Sequence, residues 1–160
     1  GVSFAKGLCY GIRKPLIAVG SLDALAEVAR EDYEAGIVDV DDWESARLCP
    51  MVDARRMEVY ARVFDTTGAP LSEVKAEVIG GVSFAAWRDG KHPFVIFGNG
   101  ARKCREALPD ARFIEVAPSA RGLARRAQEA FDAGRFEDLA YFEPFYLKDF
   151  VVTASKKRLL

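Results

Sequence analysis

Hydrophobic and polar residues alternate with a period of two over residues 57–64, with Met57, Val59, Ala61 and Val63 on one face and Glu58, Tyr60, Arg62 and Phe64 on the other. This is the pattern of a β-strand, whose successive side chains point to opposite faces of a sheet. The run before it, 48–52, is short, apolar and compatible with a second strand. Between them Asp53-Ala54-Arg55-Arg56 makes a polar corner, an acid followed by two cations. Such a corner can serve a site, and it is equally a common way for a chain to leave a sheet.

Upstream the period lengthens to that of a helix. Val2, Ala5, Leu8, Cys9 and Ile12 recur at helical spacing and predict a helix over 2–13. In the same segment Ser3, Gly7 and Gly11 stand at i, i+4 and i+8, so one face carries almost no side chain. An interior Gly costs a helix about 1 kcal/mol relative to Ala. The small face therefore suits close approach by another backbone, a partner's or that of this domain's own sheet. Lys14-Pro15 ends the helix, residues 16–19 read as a short buried strand, and Gly20 closes it. Ser21 is then the expected N-cap of a second helix, with Asp23 in its first turn and Leu22, Leu25, Ala26, Ala29 and Tyr33 on one face. This helix-strand-helix run predicts a parallel sheet. Residues 35–46 lose the periodicity and are acidic, which predicts a linker between two lobes.

Asp65-Thr66-Thr67-Gly68 is a hairpin turn signal, and beyond it Val74, Ala76 and Val78 alternate with Glu73, Lys75 and Glu77. Three consecutive antiparallel strands are expected near 48–53, 57–65 and 71–78. A short helix near 82–88, the turn Asp89-Gly90, a strand over 94–97, the loop Gly98-Asn99-Gly100, a helix over 101–107, a strand over 113–116 and a helix capped by Ser119 and reaching 133 follow. The order β-β-β-α-β-α-β-α predicts an α/β fold, a mixed sheet with helices on both faces arranged as a ribonuclease-H-like lobe. Residues 136–150 are dense in aromatics, Phe136, Tyr141, Phe142, Phe145, Tyr146 and Phe150, and are expected to wrap and close the core, with Pro144 limiting helix. Residues 155–160 read as a basic, frayed tail.

Composition narrows the chemistry. A chain of 160 residues, half of them hydrophobic and 29% charged, fits one ordinary domain or two small lobes. Its apolar runs are strand-length, short of the ~20 residues of a membrane helix. With 23 Lys and Arg against 24 Asp and Glu the net charge is −1, so the global positive charge that drives phosphate binding is missing and direct nucleic-acid binding is not the default. Cys9, Cys49 and Cys104 are far apart with no CxxC spacing, which predicts reduced thiols in an intracellular compartment. The single histidine, His92, cannot form an HExxH pair. Asp53, Glu58, Asp39, Asp41 and Asp42 are candidate carboxylates for two-metal phosphoryl chemistry, but Arg55 and Arg56 beside Asp53 would repel a cation. An ATPase needs glycine-rich phosphate loops beside the acid; Ala54-Arg55-Arg56 is a poor cradle, while Gly98-Asn99-Gly100 could approach a ligand closely.

Four segments, AKGLCYGIRKPLIAVGSLDALA (5–26), PMVDARRMEVYARVFD (50–65), FGNGARKC (97–104) and EPFYLKDF (143–150), together resemble the TsaB or YeaZ family, glycoprotease-like homologues of peptidase M22. The DARR-x-EVY signature is the most specific of them. The resemblance implies a role in making threonylcarbamoyladenosine in tRNA and an actin-like, Hsp70-like ATPase fold of two ribonuclease-H-like lobes. Family chains begin earlier than Gly1, so the resemblance implies an N-terminally truncated chain, with 1–46 a helix-strand-helix remnant of the first lobe plus linker and 47–160 a complete second lobe. It further implies a cytoplasmic, catalytically silent subunit without cofactor, metal or membrane. Its partners would be a TsaD-like ATP-binding paralogue, a TsaE-like ATPase and, in a homodimer, a second copy, with tRNA contacted indirectly. Ser3, Gly7, Tyr10 and Gly11 are the expected partner-binding residues. Asp53, Arg55, Arg56 and Glu58 form the motif, with Asp53 and the two arginines expected to hold one another and the sheet end through charge-assisted hydrogen bonds. The alternative is a solo enzyme, a glycoprotease-like peptidase or an actin-like ATPase.

Overall fold

Five strands form one mixed sheet in the computed structural model, which describes residues 1–148. In chain order the elements are α1 (Val2–Ile12), α2 (Ser21–Glu34), β1 (Arg47–Asp53), β2 (Glu58–Ala61), β3 (Lys75–Val78), β4 (Phe94–Phe97), β5 (Arg112–Phe113) and α3 (Ala124–Asp132). The strands lie in the order β3-β2-β1-β4-β5. β1–β2 and β2–β3 are antiparallel, with Val52 opposite Tyr60 and Tyr60 opposite Ala76. β1–β4 and β4–β5 are parallel. This is the mixed sheet expected of a ribonuclease-H-like lobe.

The sheet is covered on both faces, which is why β4 is the uninterrupted apolar run Phe94-Val95-Ile96-Phe97 and is buried throughout. Val59, Ala61 and Val63 are buried together, as the alternation predicts, in a core with Cys49, Met51, Ile96 and Leu108. Met57, from the same apolar set, stays exposed at the strand's start. The opposite face is half-covered: Glu58, Tyr60 and Arg62 are intermediate, and Phe64, at 0% exposure, enters the second core with Leu25, Val28, Trp43, Val95 and Phe97. β3 is an edge strand with Lys75 exposed, Glu77 half-buried and Val78 70% exposed.

α2 supplies that second core, burying Leu22, Leu25, Ala26 and Ala29. Its N-cap is Gly20, so Ser21 is the first helical residue rather than the cap. Tyr33 stacks on Trp43, with ring centroids 4.1 Å apart and planes 6° from parallel. Val40, Trp43 and Ala46, in the stretch that reads as linker, are buried in the same cluster, so α2 and the sheet share one core across residue 46. The 3-10 turn Ala120–Leu123 lies on α2: a β-carbon at Gly122 would stand 2.1 Å from the Ala24 carbonyl oxygen. Ser119 caps this turn by accepting the Arg121 N–H. Beside it Glu27, 1% exposed, is gripped by Arg30, Arg125 and Arg126. Arg125 and Arg126 also donate to the carbonyls of Thr67 and Gly68, tying α2, α3 and the 65–69 turn together. Burial alone would raise the Glu27 carboxyl, but hydrogen bonds from Arg125 and Arg30 and the nearby Arg126 charge outweigh it and hold the group below the usual range.

Elsewhere the local expectations give way to packing. Residues 16–19 are not a strand: with no neighbouring strand to join, Leu16 makes one isolated bridge, its carbonyl accepting the Glu137 N–H at 2.8 Å. The helix expected near 82–88 is a run of turns over 82–87, broken by a left-handed Phe84 at φ 58°. The helix expected over 101–107 is only a 3-10 turn, Arg102–Cys104, cramped between Gly100 and Pro109. The aromatic segment does not close the core, since Tyr141, Phe145 and Tyr146 are exposed and Phe142 is half-buried. Phe150 and residues 155–160 lie outside the described residues.

Candidate functional site

The motif forms the β1–β2 hairpin. After Asp53 the chain reverses, and the Glu58 carbonyl accepts the Ala54 N–H at 3.0 Å while its N–H donates to the Arg55 carbonyl at 3.1 Å. Arg55 and Arg56 both hold left-handed backbone, φ 70° and 48°. Paired positive φ values suit the twist of a tight hairpin, but Asn or Gly usually supplies them, and a residue with a β-carbon holds each at a cost of about 1 kcal/mol.

The cation on Asp53 is neither arginine. Lys103 pairs with its carboxylate, and the same ammonium donates to the Glu58 carbonyl at 2.7 Å, so one side chain stitches the two strands. Asp53 Oδ1 also accepts the Arg55 backbone N–H at 3.1 Å. The Lys103 ammonium and then that N–H hold the Asp53 carboxyl below the usual carboxylate range. The expectation that Asp53, Arg55 and Arg56 hold one another is thus corrected: Arg55 contributes its backbone, and among the described residues neither guanidinium has a carboxylate partner. The second acid of the motif, Glu58, pairs with the Lys148 ammonium. Sequence reasoning missed Lys103 and Lys148 as partners, although both lie in the quoted segments FGNGARKC and EPFYLKDF, which here converge on the hairpin.

The Gly98-Asn99-Gly100 loop packs on protein rather than opening to a ligand. A β-carbon at Gly98, φ 94°, would stand 2.6 Å from the Met51 carbonyl oxygen, and one at Gly100 2.9 Å from the Val52 carbonyl carbon. The glycines let the loop lie on the backbone of β1, where Gly100 N–H donates to the Met51 carbonyl at 2.9 Å and Asn99 Oδ1 accepts the Asp53 N–H at 3.0 Å. Cys104 turns inward and donates its thiol to the Gly100 carbonyl at 3.2 Å. Burial pushes the Cys49 and Cys104 thiols up, away from nucleophilic thiolate. Asp39, Asp41 and Asp42 are exposed between α2 and β1. Among the described residues no group of three or more His, Cys, Asp or Glu side chains converges to hold a metal ion.

α1 is the other candidate surface. It buries no residue, Phe4 and Tyr10 are 77% and 79% exposed, and Leu8 and Ile12 are exposed as well. Ser3, Gly7, Tyr10 and Gly11 share one face by helical spacing, and a β-carbon at Gly7 or Gly11 would meet nothing within 4 Å. Lys6 fastens the helix by donating to the carbonyls of Ala140 and Phe142 at 3.1 and 2.9 Å. Under the 142–148 segment an apolar cleft of about 550 Å³ lies between the first turn of α2 and Val52, Tyr60 and Val74. Among the described residues no helix is long and apolar enough to cross a membrane.

Comparison with known proteins agrees with the resemblance to TsaB. A crystal structure described as an uncharacterized protein with similarity to peptidase YEAZ, from Pseudomonas aeruginosa, superposes with a TM-score of 0.62 at 21% identity, over 92% of this chain and 65% of that one. YeaZ from Pseudomonas aeruginosa superposes with a TM-score of 0.64 at 20% identity, over 91% of this chain and 66% of that one. This chain thus spans just under two thirds of those proteins. No curated protein matches it. The sequence profile described as "TsaD: tRNA N6-adenosine threonylcarbamoyltransferase" matches residues 1–153, nearly the whole chain, and the chain belongs to that family.

Proposed function

We propose that this chain is a non-catalytic partner subunit, cytoplasmic in location, of the assembly that adds the threonylcarbamoyl group to adenosine in tRNA. In this reading it pairs through the Ser3-Gly7-Tyr10-Gly11 face of α1 with a TsaD-like ATP-binding paralogue or, in a homodimer, with a second copy, and a TsaE-like ATPase joins the assembly. Residues 1–46 are in this reading the remnant of a first lobe with its linker, and residues 47–160 carry a second. The observation that supports it most is α1 itself, an apolar helix with no buried residue and two glycines whose surroundings are open. Burying such side chains on a partner contributes about 25 cal/mol per Å², and the glycines let a second backbone approach closely. A silent role is supported by what the candidate acids already do: Asp53 is engaged by Lys103, Glu58 by Lys148, and the adjacent glycines pack on β1.

Size-exclusion chromatography of the chain mixed with a TsaD-family paralogue tests this. Co-elution, lost in Gly7→Trp while the variant keeps its circular dichroism, is the expected result. The reading fails if the two proteins elute apart. It also fails if the chain alone hydrolyses ATP or cleaves peptides and Asp53→Ala abolishes that activity with the fold intact.

A further inference from the structure

Among the described residues six arginines have a carboxylate partner, and Arg13, Arg47, Arg55, Arg56, Arg102, Arg105, Arg112 and Arg135 have none. Arg30, Arg62, Arg88, Arg121, Arg125 and Arg126 each face a carboxylate within salt-bridge distance. Three of the unpaired arginines, Arg55, Arg56 and Arg102, lie at the β1–β2 corner. Both carboxylates there, Asp53 and Glu58, are taken by lysines, Lys103 and Lys148. Arg55 and Arg56 stand exposed at the tip with no carboxylate partner among the described residues. Arg102, also exposed, sits beside Lys103 at the same end of the sheet, because Gly100 is packed against Val52 and Asp53. Two adjacent guanidinium groups on this turn, with Arg102 near them, thus stand together without a carboxylate partner among the described residues. Arginine also holds φ 70° and 48° where glycine would be free of strain, so the backbone gains nothing from having Arg at these positions.

We infer that the tip of this hairpin is an RNA-phosphate contact surface, with Arg55 and Arg56 each taking a backbone phosphate and Arg102 extending the patch. Guanidinium groups present planar, paired donors that match phosphate oxygens. The site is an exposed turn, and the neighbouring glycines lie against β1, so no cradle encloses a mononucleotide's phosphates. An extended polyanion meets such a tip without one. The choice of RNA among polyanions rests on the tRNA-modification reading given above.

The test is fluorescence anisotropy of the full chain against an unmodified tRNA transcript across a salt series, for the wild type and for Arg55→Gly/Arg56→Gly. Glycine suits both backbone conformations, so this variant removes the guanidinium groups without disturbing the turn. Loss of two phosphate contacts is expected to lower affinity about tenfold or more near ~0.1 M salt and to reduce the slope of log K against log salt by about 2. No salt-dependent binding by the wild type, or an unchanged slope in the variant, overturns the inference. So does a variant that keeps RNA affinity but loses the TsaD-family paralogue, since the corner would then be a protein contact. Co-elution with the paralogue is measured on the same samples, so failure of RNA binding with pairing intact sinks this inference alone. Failure of pairing with RNA binding intact sinks the assembly reading alone.

Discussion

Lys103 reaches Asp53 across 50 residues of chain and, with the same ammonium, the carbonyl of Glu58, so a residue beyond β4 closes the hairpin between β1 and β2. Lys103→Met is expected to speed amide exchange over residues 54–58 while leaving exchange in β4 unchanged. An equal rate at Glu58 in both proteins would show that the turn stands on its backbone bonds alone.

The same pair sets a pH dependence. The Asp53 carboxyl is held low by Lys103, so the folded chain binds that proton less readily than the unfolded chain. Its contribution to stability is complete above the ordinary aspartate range near ~3.9 and disappears as pH falls through the lowered folded value. NMR titration should find Asp53 below the usual range in the wild type and shifted upward in Lys103→Met. Identical titration curves would contradict the pairing.

Glu27→Ala leaves Arg30, Arg125 and Arg126 facing an empty buried position. Removing one partner of a buried ion network costs about 3 kcal/mol or more, and the loss should appear as a lower denaturant midpoint. A change under about 1 kcal/mol would put the network in the class of surface pairs.

Two glycine substitutions should separate packing from exposure. Gly98→Ala drives a β-carbon to 2.6 Å from the Met51 carbonyl oxygen, which overpacking data place at about 1–3 kcal/mol of destabilisation. Gly7→Ala meets nothing within 4 Å and should stabilise α1 by up to about 1 kcal/mol through helix propensity. Thermal melts of the two variants moving in the same direction would contradict the geometry.

Much of this architecture could be read from local pattern. The two-residue period of Val59, Ala61 and Val63, the unbroken apolar run Phe94–Phe97 and the turn at Asp65 report directly on covered strands and on a carboxylate that accepts the Thr67 and Ala69 N–H groups at 2.9 Å. What stayed hidden depends on which surface an element meets. The apolar stripe of α2 does not say which surface it meets, and only the shared core of Leu25 and Val28 with Phe64 and Phe97 puts it on the sheet. The lysine partners of Asp53 and Glu58 lie 50 and 90 residues away, beyond the reach of any motif spacing. The aromatics near residue 141 are as apolar as core residues, yet the core is already filled from α2 and β4.

The exposed margin of the sheet at β3 is four residues long and carries Lys75 and Glu77 beside its uncovered Val78. A strand this short offers few unpaired backbone groups, and a strand added by another molecule would have to bring its side chains against fixed charges. The β3 edge is thus a poor template for strand-to-strand aggregation, while the apolar helix α1 stays displayed on the same molecule.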